Sequence, residues 1–187
     1  MNNYEAMSDE ELRKLYVPDV YQPDIYKIDY RQLKKAGILL ISFGVDDTIV
    51  KAGEIMLPKK TIRLFRELKE SGFKLVLLSN NKSRRRADIF SSELGVDYIA
   101  DARKPGKSGF TGCRQLYYLP YRKEPDVRQM AHIGSSLIND IAGGNAFGTT
   151  TCLVESLTES VHFPDETHNL TEILKGRNIW INQYYQL

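Results

Sequence analysis

The stretch ILLISFGVDDTIV, residues 38–50, decides how the rest of the chain is read. Its first six residues are apolar except for Ser42, which gives the length and makeup of a strand buried on both faces. They run into Gly44-Val45-Asp46-Asp47-Thr48, a polar turn holding two acids and a hydroxyl. Strands buried on both faces belong to parallel sheets, and parallel sheets bind ligands at the carboxyl ends of their strands. The turn is therefore the first place to look for function.

Outward from this strand, apolar runs alternate with amphipathic ones. Residues 59–71 form a helix with Ile62, Phe65 and Leu68 on one face and Gly72 as its stop. Strand 74–78, helix 84–94 closed by Gly95, strand 97–100 and helix 108–118 follow, then strand 130–133, helix 137–147 and strand 150–154. Short buried strands separated by helices imply right-handed crossovers and a parallel sheet covered on both faces. The expected fold is a three-layer, Rossmann-like α/β sandwich with five strands. Counted from residues 38–43, their order is 3-2-1-4-5, and no cap is larger than residues 51–57.

Upstream, Ser8 and Glu11 fit a capping box opening a helix to about Tyr16. Pro18 and Pro23 hold an extended, tyrosine-rich stretch, and Asp29 caps the helix YRQLKKA, which Gly37 ends. Downstream come a loop at 162–166, a brief helix at 169–175 and the segment IWINQYYQL, whose aromatics are expected to pack back on the domain. The division is a lead-in at 1–37, a core at 38–155 and a tail at 156–187.

At 187 residues, 42% hydrophobic and 27% charged, the chain suits one globular domain with short extensions. A net charge of +2 gives no ground for a nucleic-acid partner. Cys113 and Cys152 lack metal-ligand spacing and read as buried small residues in a reducing compartment. The polar, partly acidic N-terminus is no secretory or transit peptide, and the apolar runs fall short of the ~20 residues that span a bilayer. A cytoplasmic protein is expected.

The four strand ends carry GVDDT, then SNN at 79–81, RKPGK at 103–107 and GSSLIND at 134–140. Singly these are weak signals, since serine after a strand is a common turn residue and Lys-Pro a common helix lead-in. Together they suit a phosphate group: Thr48, Ser79, Asn80 and backbone N–H groups would hold its oxygens, and Lys104 would neutralise its charge. Lys82, Arg84, Arg85 and Arg86 open the next helix. They read either as a solvated helix end or as part of one basic rim with Arg103, Lys104 and Lys107. The three histidines show no ligand spacing, and His132, inside a strand, reads as a satisfied core residue.

These motifs resemble the haloacid dehalogenase superfamily, and within it the small cap-less YqeG-type (subfamily IIIA) phosphatases, relatives of mitochondrial phosphatidylglycerophosphate phosphatases. LLSNNK, ARKPGKSGF and the approach LYVPDVYQPDIYKIDYRQLKKAGI carry the resemblance over residues 15–154. It implies a hydrolase acting on phosphomonoesters, with Asp46, Thr48, Ser79, Lys104 and Asp140 as site residues. The family's first motif is D-x-D-N-T, a nucleophile followed by a general acid, where this chain has Gly44-Val45-Asp46-Asp47-Thr48. Its fourth motif is G-D-x-x-x-T-D, where this chain has Gly134-Ser135-Ser136-Leu137-Ile138-Asn139-Asp140.

By the family's mechanism, position 44 attacks phosphorus and binds Mg²⁺, and position 135 supplies the other coordinating carboxylate. Gly44 and Ser135 supply neither. Magnesium wants an oxygen octahedron with anionic ligands, and a covalent intermediate needs a nucleophile. The expectation is a pseudophosphatase without cofactor; were it active, Mg²⁺ would sit at Asp46 and Asp140. A site relieved of two acids would be electropositive and take an anion without metal.

Two active alternatives stay open. Asp46 as nucleophile would resemble the D-x-T of P-type ATPases, but needs the strand to run on through Gly44. Asp46 as general base for water still lacks a metal site. Three classes of function follow. The first is an impaired phosphatase binding a phosphorylated small molecule, lipid head group or phosphoprotein, or a protein partner. The others are an active Mg²⁺-dependent phosphomonoesterase and a pure interaction module.

Overall fold

The computed structural model describes residues 4–158, 166–179 and 187. Its centre is a parallel sheet of six strands: β1 (Val20–Gln22), β2 (Leu40–Phe43), β3 (Lys74–Leu78), β4 (Asp97–Ile99), β5 (Met130–Gly134) and β6 (Thr150–Val154). Their order is β1-β6-β5-β2-β3-β4. The five strands expected from the sequence take the expected order, winding one way from β2 and then reversing. The sixth is a correction. The proline-flanked segment read as merely extended pairs in parallel with β6, Val20 opposite Cys152 and Gln22 opposite Val154. Asp19 fixes it there, its carboxylate accepting the Thr151 N–H at 2.8 Å.

Residues alternate between two buried faces, as they must in a strand. Phe43, Leu75, Leu77 and Ile133 face helices α2 (Tyr30–Lys35), α3 (Lys59–Glu70) and α4 (Arg84–Leu94), packing on Leu33, Phe65, Leu68 and Phe90. On the other side Leu40, Val76, Leu78 and Met130 pack on Phe110 and Cys113 of α5 (Ser108–Tyr121). Tyr21 and Leu153 meet α1 (Asp9–Tyr16) and α7 (Glu166–Gly176) through Leu12, Tyr16, Leu170 and Leu174. The Ser8–Glu11 capping box opens α1, and Gly95, left-handed at φ 61°, closes α4.

Three elements differ from the sequence reading, the first being α7, which starts at Glu166, a residue expected in the loop, and not at 169. Helix α5 runs on to Tyr121, past Pro120, giving up the bond that residue 120 would have donated to the Leu116 carbonyl; it ends at left-handed Arg122, whose N–H donates to the Tyr118 carbonyl. The helix expected at 137–147 is a π-helical turn, Leu137–Ala142, leading into α6 (Gly143–Phe147). Its widening shows in the Ile141 N–H reaching back to the Ser136 carbonyl at 3.1 Å. Residues 162–165 and the tail aromatics Trp180, Tyr184 and Tyr185 lie outside the described residues. Among those described, no helix is long and apolar enough to cross a membrane.

Candidate functional site

The first-motif turn begins where β2 stops. The Gly44 N–H donates to the Ile133 carbonyl at 2.8 Å, and the chain then folds so that the Val45 carbonyl accepts from Thr48 and Ile49. Strand geometry therefore does not continue through Gly44. Asp47 takes the left-handed conformation, φ 59°. It points away from the site, its carboxylate accepting from the Ala52 N–H and the Thr158 hydroxyl, its carbonyl from the Leu157 N–H. Asp46 accepts from Arg86 Nη1 at 2.7 Å and from the Gly53 N–H at 3.3 Å. Thr48 is buried, and its hydroxyl lies 3.1 Å from that of Ser135.

Gly44 sits at the meeting point of these groups. A Cβ built on it would lie 2.9 Å from Thr48 Oγ1 and 3.5 Å from each Asp140 oxygen. Its backbone is not left-handed, so sterics and not φ would oppose a larger residue. Gly134 is required more strictly: a Cβ there would fall 2.2 Å from Asp140 Cγ.

Asp140 is the most heavily bonded group of the site. Oδ1 accepts from Lys104 Nζ at 2.5 Å and from His132 Nε2 at 3.0 Å; Oδ2 accepts from the Ser135 and Ser136 N–H groups at 3.1 and 3.0 Å. Burial alone would raise its pKa, but the Lys104 ammonium and then the His132 hydrogen bond outweigh burial and hold the carboxyl well below its ordinary range. Burial pushes the His132 imidazole down more strongly than Asp140 lifts it, so the ring is neutral. Its Nε2–H donates to Asp140, and Nδ1 accepts from Ser42 Oγ at 2.8 Å. His132 is thus fully buried and satisfied at both nitrogens, and one of its partners belongs to the site.

At the end of β3, Ser79 Oγ accepts from the Asn81 N–H at 3.1 Å, an ordinary turn contact. Asn80 clamps the third motif: its Nδ2 donates to the Lys104 carbonyl at 3.0 Å and its Oδ1 accepts from the Lys104 N–H at 2.8 Å. The Val45, Asp46 and Asn80 N–H groups make no hydrogen bond among the described residues. The basic rim divides. Lys82, Arg84, Arg85, Arg103 and Lys107 are exposed, while Arg86 turns inward to 5% exposure. Both inward cations, Arg86 and Lys104, are paired with acids. Sequence reasoning treated Arg86 as one of a run and missed its burial; it also missed the Ser42–His132–Asp140 chain. Only the apolar setting of α4's inner face signals the first.

These residues do not meet magnesium's demands. Among the described residues, the two candidate acids are already engaged: Asp46 with Arg86, and Asp140, whose two oxygens hold four donors. Among the described residues no three His, Cys, Asp or Glu side chains are grouped to hold a metal. Neither cysteine offers a nucleophile: both are buried, and burial pushes Cys113 up to about 12 and Cys152 up likewise. What the arrangement can do is present hydroxyls, N–H groups and a lysine to an anion.

No family model matches the chain. It is 34% identical over 152 residues to the Bacillus subtilis protein named Probable phosphatase YqeG, covering 81% of this chain and 84% of that one. A crystal structure of an uncharacterized protein from Listeria monocytogenes superposes with a TM-score of 0.50 at 16% identity, over 76% of this chain and 98% of that one. The 3-deoxy-D-manno-octulosonate 8-phosphate phosphatase of Moraxella catarrhalis, solved with magnesium and phosphate ions, gives 0.45 at 17% identity, over 80% and 94%. With its sequence motifs, its sheet order and this level of identity, the chain belongs to the YqeG-type phosphatase family of the haloacid dehalogenase superfamily.

Proposed function

We propose that this cytoplasmic family member binds a phosphate group, borne by a small molecule, a lipid head group or a protein, without magnesium and with little or no hydrolysis. Gly44 carries the reading: the point nearest both Thr48 and Asp140, where a carboxylate would attack phosphorus, has no side chain. A phosphoenzyme cannot form there. What remains suits binding. Thr48, Ser135 and Ser79 offer hydroxyls, Val45, Asp46 and Asn80 offer N–H groups, and the Lys104 ammonium has protons beyond the one given to Asp140. Positioning and charge without nucleophile or metal sustain only residual catalysis.

The competing reading, an active enzyme using Asp46, has to free that carboxylate from Arg86 first. Calorimetry with inorganic phosphate, run with and without Mg²⁺, tests the proposal together with an aryl-phosphate assay. Phosphate should bind equally in both buffers, and the native protein should hydrolyse no faster than Asp46→Asn. A native rate above background that Asp46→Asn abolishes would mean that Asp46 does the chemistry. If phosphate does not bind at all, an interaction-only role is left.

A further inference from the structure

Of the four cations that open α4, Arg86 alone is buried, and it is spent on two separate segments. Nη1 donates to Asp46 in the first-motif turn at 2.7 Å, and Nη2 to the Glu54 carbonyl in the following loop at 3.0 Å. Asp46 closes the ring by accepting from Gly53. The guanidinium lies over Phe90, 5.3 Å from the ring centroid.

This loop has little else to hold it. Residues 51–56 are all exposed, Met56 at 79%, and only Leu57 at the base is buried. Its remaining ties are polar: Ala52 to Asp47 and Glu54 to the Lys51 carbonyl. Nor does the arrangement look tuned for stability. Among the described residues, Arg86 Nε is buried with no acceptor. Buried donors left unanswered are costly, and in native proteins they call for an explanation in function or strain.

We propose that Arg86 is a positioning residue of the anion site. By fastening Asp46 and Glu54 to α4, it holds the turn in the one shape that leaves the Val45 and Asp46 N–H groups and the Thr48 hydroxyl available to a phosphate. This rests on the phosphate-binding reading above. The planar fork is what the role requires, since two donors at a fixed angle serve two acceptors on different segments; an ammonium is a single point charge.

Arg86→Lys is the informative variant, because it keeps the charge and most of the stem. It should melt close to the native protein, bind inorganic phosphate at least about tenfold more weakly, and exchange its amides faster at residues 44–57 only. A merely structural arginine would be rescued by lysine. Native affinity with native exchange over 44–57 in Arg86→Lys overturns the proposal and leaves phosphate binding standing. No phosphate binding by the native protein overturns both. Should Arg86→Lys not fold, Asp46→Asn loosens the same tie from the other end, and unchanged exchange there sinks the proposal equally.

Discussion

Lys104 and Asp140 each keep 6% of their side chains exposed, whereas Asp46, facing the equally buried Arg86, keeps 29% of its own in solvent. Both are ion pairs beside the same site, but they are built for different ends. The inner carboxylate answers four donors with two oxygens, so it is a fixed anion that cannot deliver a proton at neutral pH. The outer one has two donors and water, and less is lost when it moves. One wall of the site is thus set by the core, and the other by a polar tie that chemistry can undo.

The largest expected effect breaks the inner wall. Asp140→Ala strands the Lys104 ammonium and two N–H groups in the interior and should cost about 3–5 kcal/mol in urea denaturation. Asp46→Ala should cost about 1–2 kcal/mol. Equal losses would erase the contrast between the two pairs.

A second change places new acids between the walls. Gly44→Asp must displace Thr48 Oγ1, an overpacking expected to cost about 1–3 kcal/mol. Combined with Ser135→Asp, it should bring Mg²⁺ binding and aryl-phosphate hydrolysis above either single variant, since nucleophile and metal ligand act as a unit. A folded double variant that binds no Mg²⁺ in calorimetry would mean that more than two acids has been lost.

Acid titration sharpens the comparison further. The folded-state pKa of His132 is lowered, by burial first, so its neutral form contributes stability above the unfolded value of about 6.5. That contribution is lost as pH falls from there towards the folded pKa. Asp140 is lowered too, so its contribution persists above about 3.9 and disappears only in stronger acid. Urea midpoints between pH 7.5 and 5 should therefore fall in the native protein and fall less in His132→Gln. Identical slopes would show that the imidazole does not titrate differently on folding. The smallest effect expected is that of Ser42→Ala, which removes the acceptor-side partner of His132 for about 0.5–1.5 kcal/mol of stability and leaves the outer pair untouched.

Much of this was legible in the sequence. Runs such as KLVLL and MAHIG, spaced by amphipathic helices with glycine stops, give the parallel sheet and its order, because period and length together leave few alternatives. The edge strand was not legible: VYQ is three residues long, sits between prolines, and becomes a strand only through its partner β6. The site was half legible. Motif spacing leads to Gly44, Thr48, Ser79, Asn80, Lys104, Ser135 and Asp140, but spacing cannot show which way a side chain turns. Arg86 stands in a run of three arginines, and only packing against Phe90 and Asp46 singles it out. The Ser42–His132–Asp140 chain links β2, β5 and the turn beyond, so it exists only once the sheet has formed.

That edge strand also sets a timetable for synthesis. Asp19 and Thr151, whose contact seats β1 against β6, are 132 residues apart in the chain. At roughly 5–20 residues per second, β1 is made about 7–26 seconds before its partner. Through that interval the nascent chain carries an unpaired, apolar strand, open to the wrong neighbour. The first strand of the sheet to be translated is the last that can be seated.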